Sequence, residues 1–367
     1  MSDEIRMLRD AATAFVASEF PIDRVRGMAE QAGAVDPDAY RALVSQGWLA
    51  IAVPEERGGV GLGFAALGSV LEILGRALVP GPFWSAATLG VPALAATDNT
   101  AARDAWLDSL ISGERRVTLA LQEGASLPEA EAIETRAESL GGGRYRIHGR
   151  KRFVPDLRGA DAAVVVATST DGPLALLVDL RESGAVVEEN LVSDQTSRSG
   201  TLTLDGVEVG DAARLGGWDL VERVVRIGNL GLAALAVGGA DALFAQVLSY
   251  VKQRVQFGVP VGTFQAVQHP LADLFGELES ARSACLYAAF AVDGRTDDEP
   301  QAVALARLVT TAAYHHAATT SLQAHGGIAF TWEHDLHLHL KRALHLGWTL
   351  GQSADYEAVV ARAGLGI

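Results

Sequence analysis

The sequence predicts an α+β chain in three parts: an N-terminal α-helical domain, a middle antiparallel β domain of barrel or sandwich type, and a C-terminal four-helix bundle. Three observations predict it. From Ser2 to about Gly113, apolar residues recur three and four apart in Ala-rich segments. Between Arg116 and about Gly210 the period changes to two. From Trp218 onward the helical period returns over long stretches. The parts are set at residues 1–115, 116–212 and 213–367, and a chain of 367 residues is long enough for two or three packed units.

In the first part the helical pattern is clearest over Leu8 to Phe20, Tyr40 to Leu49 and Phe64 to Leu78. Pro and Gly break it at Pro54 to Gly63 and at Pro80-Gly81-Pro82. In the second part Tyr145 to Gly149 alternates polar and apolar, while Ala162 to Ala167, Leu174 to Val178 and Thr201 to Val209 read as strands. Gly141-Gly142-Gly143 and Asp171-Gly172 supply turns. In the third part, helices are expected at Leu220 to Arg254, Phe264 to Asp293, Pro300 to His325 and His334 to Trp348. Four such helices bury one stripe each against their neighbours.

Composition narrows the function. The formal net charge is −15 and no long Lys/Arg run exists, which argues against nucleic acid and against anionic membrane surfaces. One cysteine, Cys285, allows no internal disulfide and no Cys-based zinc site, so a cytoplasmic setting is expected. Met1 to Asp10 carries both charge signs without an apolar run, unlike a signal peptide. The most apolar stretch, Leu230 to Leu248, holds Asp241, Gln246 and paired glycines, and reads as a buried core helix rather than a membrane span.

Two groups of residues carry candidate chemistry. Arg254 stands at the end of a long helix, where a guanidinium can grip a pyrophosphate with two parallel hydrogen bonds; the plain alternative is a helix-end cation satisfying the last carbonyls. Phe257-Gly258 and Pro260 then break the helix, and Phe264-Gln265 restart one. Gly326-Gly327 follows another helical pattern; paired glycines permit positive φ and expose N–H groups to a phosphate, though a simple helix C-cap uses the same residues.

The run Tyr250 to Asp273, reading Tyr-Val-Lys-Gln-Arg-Val-Gln-Phe-Gly at its start, resembles the most recognisable segment of acyl-CoA dehydrogenases. Gln323-Ala-His-Gly-Gly-Ile-Ala-Phe-Thr-Trp-Glu-His334 is a second match, and Val53-Pro-Glu-Glu-Arg-Gly-Gly-Val-Gly61 a weaker third. The resemblance covers nearly the whole chain and implies the same order of domains. It implies FAD as cofactor, with Arg254, Phe257, Gln265, Gln323, Gly326 and Gly327 holding the adenosine diphosphate part across a subunit boundary. Leu119 to Gly124 and Lys151 to Pro155 resemble the segments bordering the flavin ring, which places Gln122, Phe153 and Pro155 there. Many members carry a hydroxyl where Gln122 and Pro155 stand, and a proline has no N–H to donate.

The family's reaction takes a proton from the α carbon of an acyl-CoA thioester and passes the β hydrogen to the flavin as hydride. By resemblance the glutamate base stands at one of two places, which here are Leu350 and Gly228. Neither is acidic, and Asn229 replaces a common arginine beside the second. Glu222 is the nearest carboxylate in sequence to Gly228 and is the candidate base; its other reading is a helix N-terminal acid beside Asp219. Asp241 reads better as a paired acid inside the bundle, and Glu333 as structural. The missing glutamate and the Thr331 to His337 wording resemble the short chains of heteromeric, steroid-type members.

The expected function is therefore flavin-dependent α,β-dehydrogenation of an acyl-CoA as one subunit of an oligomer, homomeric or heteromeric. An electron-transfer flavoprotein is the expected acceptor. The alternative is a structural or regulatory subunit without base, with or without FAD. Seven of the nine histidines fall between His315 and His345, but no acid or cysteine is arranged with them, so no metal is expected. The Gly58 to Gly63 run has no preceding strand and no Gly-Lys-Ser/Thr, and reads as a turn.

Overall fold

The computed structural model describes residues 2–31 and 36–365. Met1, where the reading of the N-terminus as no signal peptide begins, lies outside them. The expected order of helices, sheet and helices is observed, and the fold is that of a helical layer, a sheet and a bundle meeting at one centre.

The first layer holds α1 (Asp3–Glu19), α2 (Ile22–Glu30), α3 (Pro37–Val44) and α4 (Gly63–Arg76). Ser2 and Asp36 cap α1 and α3 by accepting from backbone N–H groups one turn ahead. Then α5 (Phe83–Ser85) runs through a π turn at Ala86–Gly90 into α6 (Val91–Ala96), followed by α7 (Thr100–Ile111). The π turn carries Thr88 and Leu89 against the third domain, which matters for the site below.

The second domain is one eight-stranded sheet: β1 (Val117–Ala120), β2 (Arg136–Gly141), β3 (Arg144–Pro155), β4 (Ala162–Ser169), β5 (Gly172–Asp179), β6 (Ala185–Glu189), β7 (Ser199–Val209) and β8 (Arg214–Gly216). Its order is β6-β7-β3-β2-β4-β5-β8, with β1 beside β4. The expectation of a purely antiparallel sheet is corrected here: β1–β4 and β2–β4 run parallel. The connection from β1 to β4 passes through the β2–β3 hairpin, a long crossover that alternation of side chains does not reveal. A bulge in β3 falls between Lys151 and Val154 and turns Phe153 out of register.

The third domain holds α8 (Trp218–Gln253), the short hairpin β9 (Val255–Gln256) and β10 (Val259–Pro260), α9 (Gln265–Gly294), α10 (Glu299–His325) and α11 (Leu336–Leu346), with α12 (Ser353–Leu365) packed on α10. The first four helices match those expected. Among the described residues α8 is the one helix long and apolar enough to cross a bilayer, and its apolar window is mostly buried inside the protein. Leu230, Leu232, Val237, Leu243 and Val247 all lie in the core, each contributing on the order of 1.5–3 kcal/mol by leaving water. Gly75 on α4 and Gly238 on α8 let the two backbones touch; a β-carbon at Gly238 would collide with the Glu72 carbonyl. That contact seats the first helical layer directly on the bundle.

Candidate functional site

The expected diphosphate residues assemble at one end of the bundle. Arg254 is the C-cap of α8; its backbone turns extended while its N–H still reaches the Tyr250 carbonyl at 2.8 Å. The β9–β10 turn then puts Phe257 at φ 52 and Gly258 at φ 82, the positive pair that a two-residue hairpin of this twist requires. Phe257 is consequently thrown outward and is 93% exposed. Opposite, α10 stops at Gly326 with φ 67 and ψ −143, a conformation that favours glycine. A β-carbon on Gly326 or Gly327 would meet nothing within 4 Å, so this backbone faces open space.

Arg254, Phe257, Gln323, Gly326 and Gly327 line one cleft of about 730 Å³. Gln265 opens α9 beside the lining residue Ala266. The His325 ring stacks on Tyr250 at 4.1 Å and its Nδ1 lies 2.8 Å from the Ser321 carbonyl, which ties the two helix ends together beneath the cleft. The Arg254 guanidinium makes no ion pair and no hydrogen bond among the described residues. A free cation, exposed backbone and an aromatic side chain suit a dinucleotide's diphosphate and adenosine. Apolar Phe257, Ile328 and Phe330 stand exposed around the same rim, as a surface awaiting a second chain does.

Two of the residues expected to border the ring, Phe153 and Pro155, lie around a separate cleft of about 360 Å³ between all three domains, and Gln122 is not among its lining residues. Phe153, at φ 54 on the β3 bulge, and Pro155 line it together with Trp348 and Thr349. Gln122 is buried and turns inward, its amide donating to the Ala125 carbonyl at 3.2 Å. Pro155 has only its carbonyl, which accepts from Thr118 at 2.7 Å. Pro155 therefore offers this wall no donor.

The two base positions converge, although 122 residues separate them in sequence. A β-carbon on Gly228 would lie 2.7 Å from Leu350 Cδ1 and 2.6 Å from Leu89 Cδ2. Leu350, at φ 54, is buried. The Trp84 indole N–H donates to the Gly228 carbonyl at 3.2 Å and rests on Gly231. Where a carboxylate would be poised, the chain has packed leucine, tryptophan and glycine. Glu222 is not brought to this place. It is exposed on the first turns of α8, takes a hydrogen bond from Trp218 at 3.0 Å and sits 3.8 Å from Arg226. It behaves as the helix N-terminal acid of its other reading.

Sequence reasoning missed four residues here. Arg307 is fully buried and donates to Asn229 Oδ1 at 3.0 Å, to the Thr349 carbonyl at 3.1 Å, and to Thr311 and the Leu346 carbonyl. Among the described residues no carboxylate pairs with it, and burial pushes its pKa down. The Tyr356 hydroxyl lies within hydrogen-bond reach of both Asn229 Oδ1 and the Leu350 carbonyl and donates its one hydrogen between them, so this group fastens the whole 346–350 segment to α8. A lone arginine inside an Ala-rich helix was the available signal. Asp156, in the wall of the ring-side cleft, takes a 2.6 Å hydrogen bond from Ser85, and burial pushes its carboxyl up to about 6. Lys151 is wholly buried against Glu123 at 2.7 Å, and fastens the loop that holds Gln122.

Comparison with known proteins identifies the family. Family models described as the N-terminal and C-terminal domains of acyl-CoA dehydrogenase match residues 2–114 and 216–365. The chain is 30% identical to the acyl-CoA dehydrogenase IpdE2 of Mycobacterium tuberculosis, over 93% of this chain and 91% of that one. Among solved structures, the ChsE4–ChsE5 complex from Mycobacterium tuberculosis has a TM-score of 0.91 at 27% identity, covering 100% of this chain and 98% of that one. A variant of the Tcur3481–Tcur3483 steroid ACAD has a TM-score of 0.89 at 29% identity, covering 100% and 99%.

Proposed function

The chain belongs to the acyl-CoA dehydrogenase family, and from that membership we propose that it works as one subunit of a heteromeric acyl-CoA dehydrogenase, lending half of a cofactor site to a partner that carries the base. The cofactor is FAD, which supplies the hydride acceptor. One observation carries the reading: the diphosphate cleft is open and intact, while the two base positions are aliphatic and packed together.

Each part of the chain has a task in this reading. Arg254 grips the diphosphate, and the backbone at Gly326 and Gly327 approaches it without a side chain in between. Phe257 and Gln323 flank the adenosine side, and Gln265 extends the contact from the start of α9. The exposed aromatic rim around this cleft closes on the partner. Pro155 has no N–H to donate and the Gln122 amide is turned to the Ala125 carbonyl, so in this reading the partner supplies the ring-side wall. The α proton needs a carboxylate in an apolar pocket, and here the partner's glutamate takes it.

The substrate we assign is an acyl-CoA of the steroid type, supported by the likeness to a steroid ACAD. An electron-transfer flavoprotein is the acceptor, and the complex is cytoplasmic. A second reading, a structural subunit that brings no FAD contact, is favoured only by the packed Trp84–Gly228–Leu350 cluster. Absorbance near the flavin bands separates them. The first reading gives a yellow heteromer with about one FAD per pair of unlike chains, bleached when Arg254 is removed. A heteromer whose flavin content ignores Arg254 supports the second.

A further inference from the structure

A third cleft, of about 140 Å³, opens where the Pro54 turn, the α6 segment and the start of α8 meet. Val53, Val91 and Ile227 form its apolar wall; Arg57, Arg223 and Arg295 reach it from three different parts of the chain. None of these arginines makes an ion pair or a side-chain hydrogen bond among the described residues. Nearby acids are engaged elsewhere: Glu299 and Glu222 with Arg226, and Asp293 with the backbone N–H groups of Phe64 and Ala65. Glu56 also lines the cleft but pairs with none of the three.

Arg295 has an ordinary explanation, because it follows α9, where a cation suits the helix end. Arg223 has none. It stands in the first turns of α8, at the end where the helix field disfavours a cation. It is half-buried, and burial together with the Arg295 charge holds its pKa below the usual guanidinium range. Glu299 offsets part of this by its charge, but the hydrogen bond it accepts comes from Arg226.

We propose that the Arg57–Arg223–Arg295 cleft is a binding site for a short-chain carboxylate, with its carboxylate on the arginines and its alkyl group against Val53, Val91 and Ile227. A planar guanidinium meets a carboxylate with two parallel hydrogen bonds, which a lysine or a backbone site does not offer. The size sets the stem: a cavity of roughly 150 Å³ accommodates a benzene-sized apolar body, so the alkyl group has about four to six carbons. The cleft shares no lining residue with the diphosphate or ring-side clefts.

The test is calorimetric titration of the full chain with hexanoate at fixed pH 7.5 and ionic strength, beside inorganic phosphate and hexanol. Hexanoate is expected to bind saturably at one site. Arg223→Gln and, separately, Arg57→Gln are each expected to weaken it about tenfold or more, the loss of one charged hydrogen-bonding partner. Circular dichroism melts establish that both variants fold. Phosphate and hexanol are expected to bind at least tenfold more weakly, because each offers one half of the recognition. The proposal is overturned if hexanoate heats show no saturation, if both folded variants bind it as the parent does, or if phosphate matches it.

Discussion

Gly228 and Leu350 face each other so closely that a β-carbon on the first would lie 2.7 Å from Cδ1 of the second. The two positions expected for the base by resemblance thus share one spot, and in this chain one is glycine and the other leucine. The contact predicts that Gly228→Ala overpacks the site and costs roughly 1–3 kcal/mol in urea unfolding. In a Leu350→Ala background the cost should shrink by at least about 0.5 kcal/mol, the coupling expected of touching residues. Equal costs in both backgrounds would mean the contact is absent.

Asp156 predicts a pH dependence of stability. Its carboxyl is raised to about 6 by burial, so the folded state disfavours the charged form. Below about pH 4 the group is protonated folded and unfolded alike and has no effect. As pH rises towards 6 the unfolded chain ionises first, and stability falls; above 6 the full cost stands, roughly 1–3 kcal/mol. Asp156→Asn keeps an acceptor for Ser85 and removes the charge. It should raise stability at pH 7.5 and leave it unchanged near pH 3.5, as read by denaturant midpoints at the two pH values.

Arg307→Met should cost about 2–4 kcal/mol, since it strands the Leu346 and Thr349 carbonyls inside the protein. Hydrogen exchange should show the loss locally, with amides of residues 346–352 exchanging at least tenfold faster. Protection unchanged there would show that Arg307 does not fasten the segment.

Glu222→Gln should leave acyl-CoA turnover of the complex within twofold and lower stability by no more than about 0.5 kcal/mol, because the group is an exposed helix-end acid. A fall of a hundredfold or more in kcat would restore Glu222 as the base.

Local patterns made most of the architecture legible. Period-3.6 stretches located α8, α9 and α10 to within a few residues, because each buries a stripe along its whole length. The parallel pairing of β1 with β4 was hidden, since strand direction depends on a connection and not on alternation. At the site, Arg254, Phe257 and Gly326 were readable because each marks a break in a helix. Asp156 and Arg307 were not: burial by distant segments makes them unusual, and nothing beside them in sequence says so. Glu222 is near Gly228 in sequence, but six residues along a helix turn a side chain well away from the starting face.

The most direct test of the shared-site account is acyl-CoA turnover by this chain alone, by a glutamate-bearing partner alone, and by the two together. The account predicts turnover only for the pair, with Arg254→Gln in this chain lowering the pair's FAD affinity roughly tenfold or more. Full turnover by this chain on its own, with FAD bound at one per chain, would contradict it.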